Sequence, residues 1–263
     1  MPHCTKNKCT YRNGGAGAPG NLAVSRGNIY FCSMKTIGLI GGTTWLSTID
    51  YYRIINQLVN ERLGGMHAAK LILHSVDYGE IVPLTKAGKW DEIAQIIGDA
   101  ARKAEQAGAS CILLCANTMH VIASEIQAQI AIPVIHIADV SAAAIRAQQV
   151  KHVLLLGTRY TMNAAFYPEL LGKNGIKLTI PDAADQEYIN NSIYEEMGRG
   201  LFLPETKAGY LSIIDKYTAQ GIDGVIMGCT EIPLLLSADD SHLPLFDTTR
   251  IHATAAVDYV LNS

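Results

Sequence analysis

The chain has 263 residues, 49% of them hydrophobic, and a formal net charge of −3 at pH 7. This length suits one large domain or two domains of ordinary size, with enough apolar residues for a substantial core. The weakly acidic balance lacks the basic footprint of nucleic-acid binding, and no apolar run is long enough to span a bilayer. The sequence therefore predicts a globular protein without a nucleic-acid or membrane partner.

The six cysteines do not form the pattern of a disulfide framework, because three fall within residues 1–33 and three near predicted strands. They are Cys4, Cys9, Cys32, Cys111, Cys115 and Cys229. Such usage is typical of the reducing cytosol, so we expect a cytoplasmic protein. Residues 1–33 are rich in glycine and polar residues and lack the apolar segment of a signal peptide. They are predicted to form a disordered extension, with the folded domain beginning at Met34.

From Met34 onward, apolar runs of strand length alternate with segments of helical periodicity. Predicted strands cover residues 35–40, 70–76, 111–115, 134–138, 153–156, 177–180, 225–227 and 243–246. Predicted helices cover residues 49–63, 90–107, 164–171, 187–197, 207–220 and 251–261. This alternation indicates an α/β protein with parallel sheets and right-handed crossovers.

An internal repeat relates two halves of this pattern. Residues 221–231 repeat the order of residues 108–118: a glycine, three spacers, three large apolar residues, then a turn of small polar residues. In this alignment Cys229 matches Ala116, so one half carries a thiol and the other a methyl group. Ligands of open parallel sheets bind at the carboxyl ends of strands. We therefore expect a pseudo-twofold molecule with the turns at 41–45, 115–118, 157–161 and 228–231 around one cleft.

Cys229 lies between Gly228 and Thr230 at a predicted strand-to-helix turn. A helix N-terminus at this place is expected to lower the pKa of the thiol toward neutrality, which would make it reactive. The alternative is a small buried core cysteine, the commoner role of an unpaired cysteine. The repeat, the neighbouring hydroxyl groups and the facing glycine turns favour the functional interpretation.

Two turns of the first half can hold an anion. Asn117 and Thr118 offer an amide and a hydroxyl beside backbone N–H groups, which suits a carboxylate, although simple helix capping is compatible with the same residues. The sequence Gly41-Gly42-Thr43-Thr44 forms a similar cradle. It is neither a P-loop nor a dinucleotide fingerprint, because the Gly-Lys-Ser/Thr ending and the third glycine are missing.

Arg199 and the histidines have weaker signals. Arg199 lies between two glycines at a predicted helix end, where it could reach an acidic substrate or simply remain a solvated terminal cation. His120 follows Asn117 by one helical turn and is more often structural than catalytic at such a place. His74, His136 and His252 lack metal-ligand spacing, so no metal site is predicted.

Beyond the extension, nearly the whole chain resembles the aspartate/glutamate racemase family of cofactor-independent amino-acid racemases. The matching residues are 40–42 with Trp45, 47–48, 51–52, 117–120, 228–231, 247–248 and 252–253. The resemblance implies two doubly wound parallel-sheet lobes with the active site between them, and a last helix that returns to the first lobe. The first lobe is then 34–135 plus 245–263, and the second is 136–244. It also implies a homodimer that needs neither pyridoxal phosphate nor metal.

The resemblance also implies a two-thiol mechanism, in which one cysteine removes the α-proton and the other returns a proton from the opposite face. The second cysteine of the family carries over to Cys229. The first carries over to Ala116, where the thiol is absent. Cys115 is not a simple substitute, because neighbouring strand residues point to opposite faces. Thr43 and Thr44 also replace the family's usual Met-Ser pair.

The leading interpretation is a racemase of aspartate or glutamate that prefers the L enantiomer and uses Cys229 as its base. The α-carboxylate would bind Thr118 and Thr230, and the side-chain carboxylate would meet Arg199. A water or hydroxyl would supply the proton on the Ala116 side. The remaining predicted substrate-binding residues are Gly42, Thr43, Thr44, Asn117, Thr158 and Glu231. Two alternatives stay open: a single-cysteine decarboxylase or isomerase of the same superfamily, and a degraded racemase that only binds amino acids.

Overall fold

The computed structural model of the chain describes residues 34–262, together with two short antiparallel strands, β1 (Cys4–Thr5) and β2 (Lys8–Cys9). The rest of the predicted disordered extension lies outside the described residues. No helix in the described part of the chain is both long and apolar enough to cross a membrane.

Beyond β2, the described strands are all parallel and form two sheets. They are β3 (Ile37–Gly41), β4 (Leu71–Ser75), β5 (Cys111–Leu114), β6 (His152–Leu156), β7 (Lys177–Thr179), β8 (Gly224–Met227) and β9 (Leu245–Asp247). The first sheet has the order β4-β3-β5, and the second has the order β7-β6-β8-β9.

Helices connect these strands. They are α1 (Trp45–Leu63), α2 (Tyr78–Lys86), α3 (Trp90–Gln106), α4 (Ala123–Gln127), α5 (Ile137–Ala147), α6 (Arg159–Met162), α7 (Phe166–Lys173), α8 (Ala183–Asn191), α9 (Pro204–Thr218), α10 (Ile232–Leu235) and α11 (Thr248–Asn262). Short 3₁₀ segments cover Asn117–Ile122, Met197–Arg199 and Ala238–Asp240, and a π-helical turn covers Ser192–Glu196.

Both faces of the first sheet are covered, because alternate strand residues pack on opposite sides. Ile40 and Leu114 belong to the core formed with α3, whereas Leu39 and Leu113 belong to the core formed with α1 and α11. All four side chains are fully or almost fully buried. A strand that is apolar on both faces is what a sheet between two helical layers requires. The α/β class and the two parallel-sheet lobes predicted from the sequence are confirmed.

The sheet register reproduces the internal repeat. Strand β5 ends with Leu114 opposite Ile40, and β8 ends with Met227 opposite Leu156. In each lobe the N–H of the next residue along donates to the carbonyl of that opposite residue. Cys115 donates to Ile40 at 2.9 Å, and Gly228 donates to Leu156 at 2.7 Å. Ala116 and Cys229, one residue further along, therefore occupy equivalent positions in the two lobes.

Two sequence predictions are wrong. The predicted strand 134–138 is reduced to a single bridge between Val134 and Ile112, because α5 begins at Ile137 and buries an apolar stripe of helical spacing. Strand β9, grouped with the first lobe, pairs with β8 of the second. The predicted helix 187–197 is helical throughout, but only its start is α-helix: the π-helical turn follows, and its last residue begins the 3₁₀ turn. The last helix does pack on α1, as expected.

A turn between β3 and α1 fixes the position of the first glycine cradle. Thr48 donates its hydroxyl to the Thr44 carbonyl at 2.9 Å and accepts the Gly42 N–H at 2.9 Å. Gly42 has φ +93, and an added Cβ would overlap the backbone of Val76. Both the backbone conformation and the close approach therefore require glycine here.

We expect Gly42→Ala to destabilise the protein by about 3 kcal/mol or more, because the strained φ and the overlap with Val76 act together. Gly65→Ala is the matched control: Gly65 also has positive φ, but an added Cβ there meets nothing within 4 Å. That variant should lose only about 1–2 kcal/mol. Urea unfolding midpoints measure both changes, and equal midpoints would contradict the close-approach argument.

Candidate active site

A pocket lies between the two lobes, at the carboxyl ends of β3, β5, β6 and β8, where parallel sheets bind their ligands. Its lining comes from both lobes. The lining residues are Thr43, Thr44, Ser47, Tyr51, Tyr78, Ala116, Asn117, Thr118, Thr158, Thr161, Ile193, Tyr194, Gly198, Gly228, Cys229, Thr230, Glu231 and Thr249. The four turns predicted to surround one cleft all contribute.

Cys229 and Glu231 form a hydrogen-bonded pair in this pocket. The Cys229 thiol donates to Glu231 Oε2 at 2.8 Å, and the Thr230 hydroxyl donates to the same oxygen at 2.8 Å. Glu231 itself is 8% exposed. The carboxylate is therefore placed to accept the thiol proton, and the turn of three consecutive residues 229–231 holds both groups.

The pKa of Cys229 is raised well above its ordinary value, mainly by burial and then by the negative charge of Glu231. The sequence-based expectation of a lowered pKa is wrong. The backbone N–H groups of Thr230 and Glu231 do lower it, but burial and the carboxylate outweigh them. The expected helix is also short, since α10 has only four residues and begins after Glu231.

In the first lobe the equivalent turn presents a methyl group. Ala116 lines the pocket, whereas Cys115 is 0% exposed and packs in the core beside Tyr51. Burial raises the pKa of the Cys115 thiol, and its Sγ lies 3.9 Å from the Leu113 carbonyl oxygen. The alternation of side chains along the strand thus directs Cys115 away from the pocket, as predicted.

The Asn117 amide is occupied by protein partners. Its Nδ2 donates to the Thr248 hydroxyl at 3.0 Å, and its Oδ1 accepts the Tyr167 hydroxyl at 2.6 Å. Thr248 in turn donates to the Met227 carbonyl at 2.8 Å. The amide therefore joins the first lobe to the second. One N–H of its Nδ2 makes no hydrogen bond to the described residues, so this pocket-lining side chain keeps one donor for a substrate.

Hydroxyl groups dominate the polar lining. Thr118 of the first lobe and Thr158 of the second each lie within hydrogen-bond distance of the Thr161 hydroxyl, at 3.4 Å and 3.1 Å. The buried hydroxyls of Thr43 and Thr249 have no hydrogen-bond partner among the described residues. An unpartnered buried hydroxyl is unfavourable unless a ligand or water completes it.

Two predicted substrate-binding residues do not reach the pocket. Gly42 lies beneath it and shapes the turn, while Thr43 and Thr44 provide the lining. The Arg199 side chain is 65% exposed and forms an ion pair with Glu195 one helical turn earlier. Only its neighbour Gly198 lines the pocket. The structure thus gives Arg199 the solvated helix-end role that the sequence analysis kept as its alternative.

The sequence analysis missed several lining residues. Tyr51 of α1 and Tyr78 of α2 come from the first lobe, Ile193 and Tyr194 from the π-helical turn, and Thr249 from α11. Irregular helical turns of this kind are frequent at functional sites. Two signals were available: Tyr51 lies within the family-matching residues 51–52, and Tyr78 follows the carboxyl end of a predicted strand.

Three histidines cluster behind the pocket rather than in it. The rings of His136 and His252 lie 4.9 Å and 5.3 Å from the ring of His120. His252 Nε2 donates to the Ile135 carbonyl, and the Tyr51 hydroxyl donates to His252 Nδ1 at 2.8 Å. Burial lowers the pKa of His252 to about 4, so it is neutral at pH 7. Among the described residues, no group of three or more His, Cys, Asp or Glu side chains could hold a metal ion.

Comparison with known proteins agrees with this geometry. A protein from Yersinia pestis described as a candidate Asp/Glu racemase has 49% identity and a TM-score of 0.83, over 87% of this chain and 100% of that one. An aspartate racemase homologue from Pyrococcus horikoshii OT3 has 34% identity and a TM-score of 0.78, over 86% and 99%.

Sequence comparison alone leads to the same group of proteins. The broad specificity amino-acid racemase RacX of Bacillus subtilis (strain 168) is 28% identical over 171 residues, which is 65% of this chain and 74% of that protein. Residues 40–256 match the family described as Asp/Glu/Hydantoin racemase. The chain therefore belongs to the Asp/Glu/Hydantoin racemase family and is an amino-acid racemase of that family.

Proposed function

We propose that this protein moves the α-proton of its amino-acid substrate with the Cys229 thiol, without an organic cofactor or a metal ion. The observation that carries the proposal is the hydrogen bond from Cys229 to Glu231 in the pocket between the lobes. It places a proton donor beside a proton acceptor at the position equivalent to Ala116 of the other lobe. A thiol in that arrangement can cycle between acid and base.

The first step forms the base. The Cys229 proton moves to Glu231 Oε2, which leaves a thiolate and a neutral carboxylic acid. The thiolate then takes the α-proton, and the electron pair of the broken C–H bond remains on the substrate as a carbanion delocalised into its carboxylate. A half-buried thiolate of raised pKa is a strong base, which suits removal of a weakly acidic proton.

Hydroxyl groups are expected to hold the substrate carboxylate. Negative charge grows on this carboxylate as the α-proton leaves, so donors aimed at it stabilise the transition state. Thr118 offers such a hydroxyl in the pocket lining, whereas the unpartnered hydroxyls of Thr43 and Thr249 are shielded from solvent and would reach a carboxylate only if their turns shifted. Thr230, by contrast, already donates to Glu231.

The Ala116 face has no thiol, so protonation there must come from a hydroxyl or a water in the pocket. Such a group can deliver a proton to the carbanion, and the hydroxide or alkoxide that it becomes then takes the proton held by Glu231, which restores the starting carboxylate. In the reverse direction the same group is a poor base at neutral pH. The proposed reaction occurs at the α-carbon and does not depend on the side chain of the substrate. The preference for the L enantiomer, the homodimer and the cytoplasmic location that the sequence implied stay predictions. The acidic side chain of the substrate, which the sequence also implied, is the one of these predictions that the charges of the pocket argue against.

Cys229→Ala should abolish α-proton exchange and leave the fold intact, because it removes the base while changing little volume. We expect a loss of at least about 10²-fold, the usual contribution of a positioned acid–base group. Proton NMR in heavy water measures the exchange, and circular dichroism checks the fold. Cys115→Ala is the matched control and should retain exchange. A Cys229→Ala protein that exchanges as fast as the parent would remove Cys229 from the mechanism.

Glu231→Gln should change the pH dependence of exchange. In the parent, transfer from Cys229 to Glu231 keeps the total proton count constant, so the maximal rate should be flat between about pH 6 and pH 8. Without the carboxylate, the thiol must lose its proton to solvent. Below the raised pKa of the thiol, the rate should then rise about tenfold per pH unit. Thr230→Val is the control and should keep the flat profile. A flat profile for Glu231→Gln would show that Glu231 is not the proton acceptor.

The missing thiol should make the two faces of the site unequal. In heavy water one enantiomer, expected to be L, should exchange its α-proton faster than it racemises, and the other should exchange slowly. Ala116→Cys should bring the exchange and racemisation rates of the L enantiomer closer together, and likewise the exchange rates of the two enantiomers, each by about 10²-fold or more. Polarimetry and NMR follow the two processes, with the reduced state of the thiols verified. No faster reaction of the D enantiomer in folded Ala116→Cys protein would contradict the two equivalent half-sites.

A further inference from the structure

The pocket between the lobes has an unusual charge inventory for a site that accepts dicarboxylic amino acids. No lysine, arginine or histidine is among its lining residues within the described part of the chain. Its ionisable acids are the Cys229–Glu231 pair and three tyrosines. With one proton shared between its thiol and its carboxyl group, that pair has one negative charge whichever atom holds the proton. We propose that this pocket prefers amino acids with uncharged side chains over aspartate and glutamate, an inference that rests on the proposed function.

Every amino-acid substrate brings one ammonium and one α-carboxylate. The Glu231 carboxylate supplies the charge that an ammonium needs, and its Oε1 receives no hydrogen bond from the described residues, since both of its donors meet Oε2. The Thr118 hydroxyl, which lines the pocket, can meet the α-carboxylate. These groups bind the ammonium and the α-carboxylate that every amino acid carries. No cation in the pocket lining remains to bind a second carboxylate.

A second carboxylate on the substrate would therefore have no charged partner. It would be buried beside the negative Cys229–Glu231 pair, where both desolvation and repulsion oppose it. An uncharged side chain of the same shape avoids both effects. A site that leaves one buried charge unpaired discriminates strongly against the ligand that carries it.

The rest of the lining suits an uncharged side chain. Tyr78 of the first lobe and Tyr194 of the second are both close enough to Cys229 and Glu231 for these groups to raise their pKa values, after the larger effect of burial. Both hydroxyls therefore remain neutral at pH 7. With Ile193 they form a surface of aromatic rings, one aliphatic side chain and neutral hydroxyl groups, which contacts apolar or neutral polar groups well.

Two arginines beside the lining are the residues that could supply a cation. Arg199 follows Gly198 and pairs with Glu195 at the surface, and Arg159 follows Thr158 with its side chain exposed. Neither lines the pocket. An exposed ion pair such as Arg199–Glu195 is weak, so it does not by itself hold the Arg199 side chain in place. The experiment must therefore include both arginines.

The test compares isosteric pairs, glutamine with glutamate and asparagine with aspartate, in the heavy-water exchange assay. We expect kcat/KM to be about tenfold or more higher for each amide. Arg199→Ala and Arg159→Ala should leave the amide-to-acid ratio unchanged. Faster exchange of the acids, or a selective loss of acid exchange in either arginine variant, would overturn the proposal.

A binding measurement separates this inference from the proposed function. Titration calorimetry of the Cys229→Ala protein with the same four amino acids requires no catalysis. Tighter binding of the amides supports the inference even if exchange survives without Cys229, an outcome that would refute only the thiol mechanism. Equal or tighter binding of the acids, or no binding of any of the four, overturns the inference.

Discussion

The Asn117 side chain makes one connection on which the rest of the site depends. It accepts the hydroxyl of Tyr167 from the second lobe and donates to Thr248, which is itself bound to the carbonyl of Met227. All these groups are buried or nearly so. A buried hydrogen-bond network holds its members in one arrangement, because breaking any of its bonds leaves a polar atom unpaired. Since the residue before Asn117 is Ala116 and the second residue after Met227 is Cys229, the network also fixes the two faces of the pocket relative to each other.

The two lobes carry equivalent turns after their strands β5 and β8. The asymmetry of the site lies in one side chain, which is Ala116 in the first turn and Cys229 in the second. In both lobes the last strand residue is followed by an N–H bonded to the neighbouring strand, and the next residue points into the pocket. The backbone therefore places a side chain on each side of the substrate position regardless of its identity. Only the chemistry differs, with a thiol on one side and a methyl group on the other. The substrate meets two similar cradles and only one acid–base group.

Features that depend on nearby residues could be predicted from the sequence. The strands, most helices and the equivalence of Ala116 with Cys229 follow from apolar runs and from the repeat, which are local patterns. The lobe of β9 could not be predicted, because strand pairing is a long-range choice. The π-helical turn that brings Tyr194 to the pocket was missed for a similar reason: Ser192, at its start, bonds Ile189 and the distant Tyr210.

The properties of individual site residues were the least predictable. The thiol pKa of Cys229 depends on how deeply the folded chain buries it and on the orientation of Glu231, and these effects outweigh the local backbone. The direction of Arg199 depends on the left-handed turn at Gly200 and on the pairing with Glu195. The role of Asn117 depends on a partner 131 positions away. In each case the residue was correctly placed near the cleft while its task was set by tertiary contacts.

The chain passes between the lobes twice, once before α5 and once at the start of α11, and the two passages are bonded to each other. His252 of α11 donates to the carbonyl of Ile135 in the first passage at 2.6 Å. The Asn117 network ties the lobes at a second place, beside the pocket itself. Two ties at different places oppose both sliding and rotation of one lobe on the other. The substrate therefore meets two opposed faces whose register is already set by the fold.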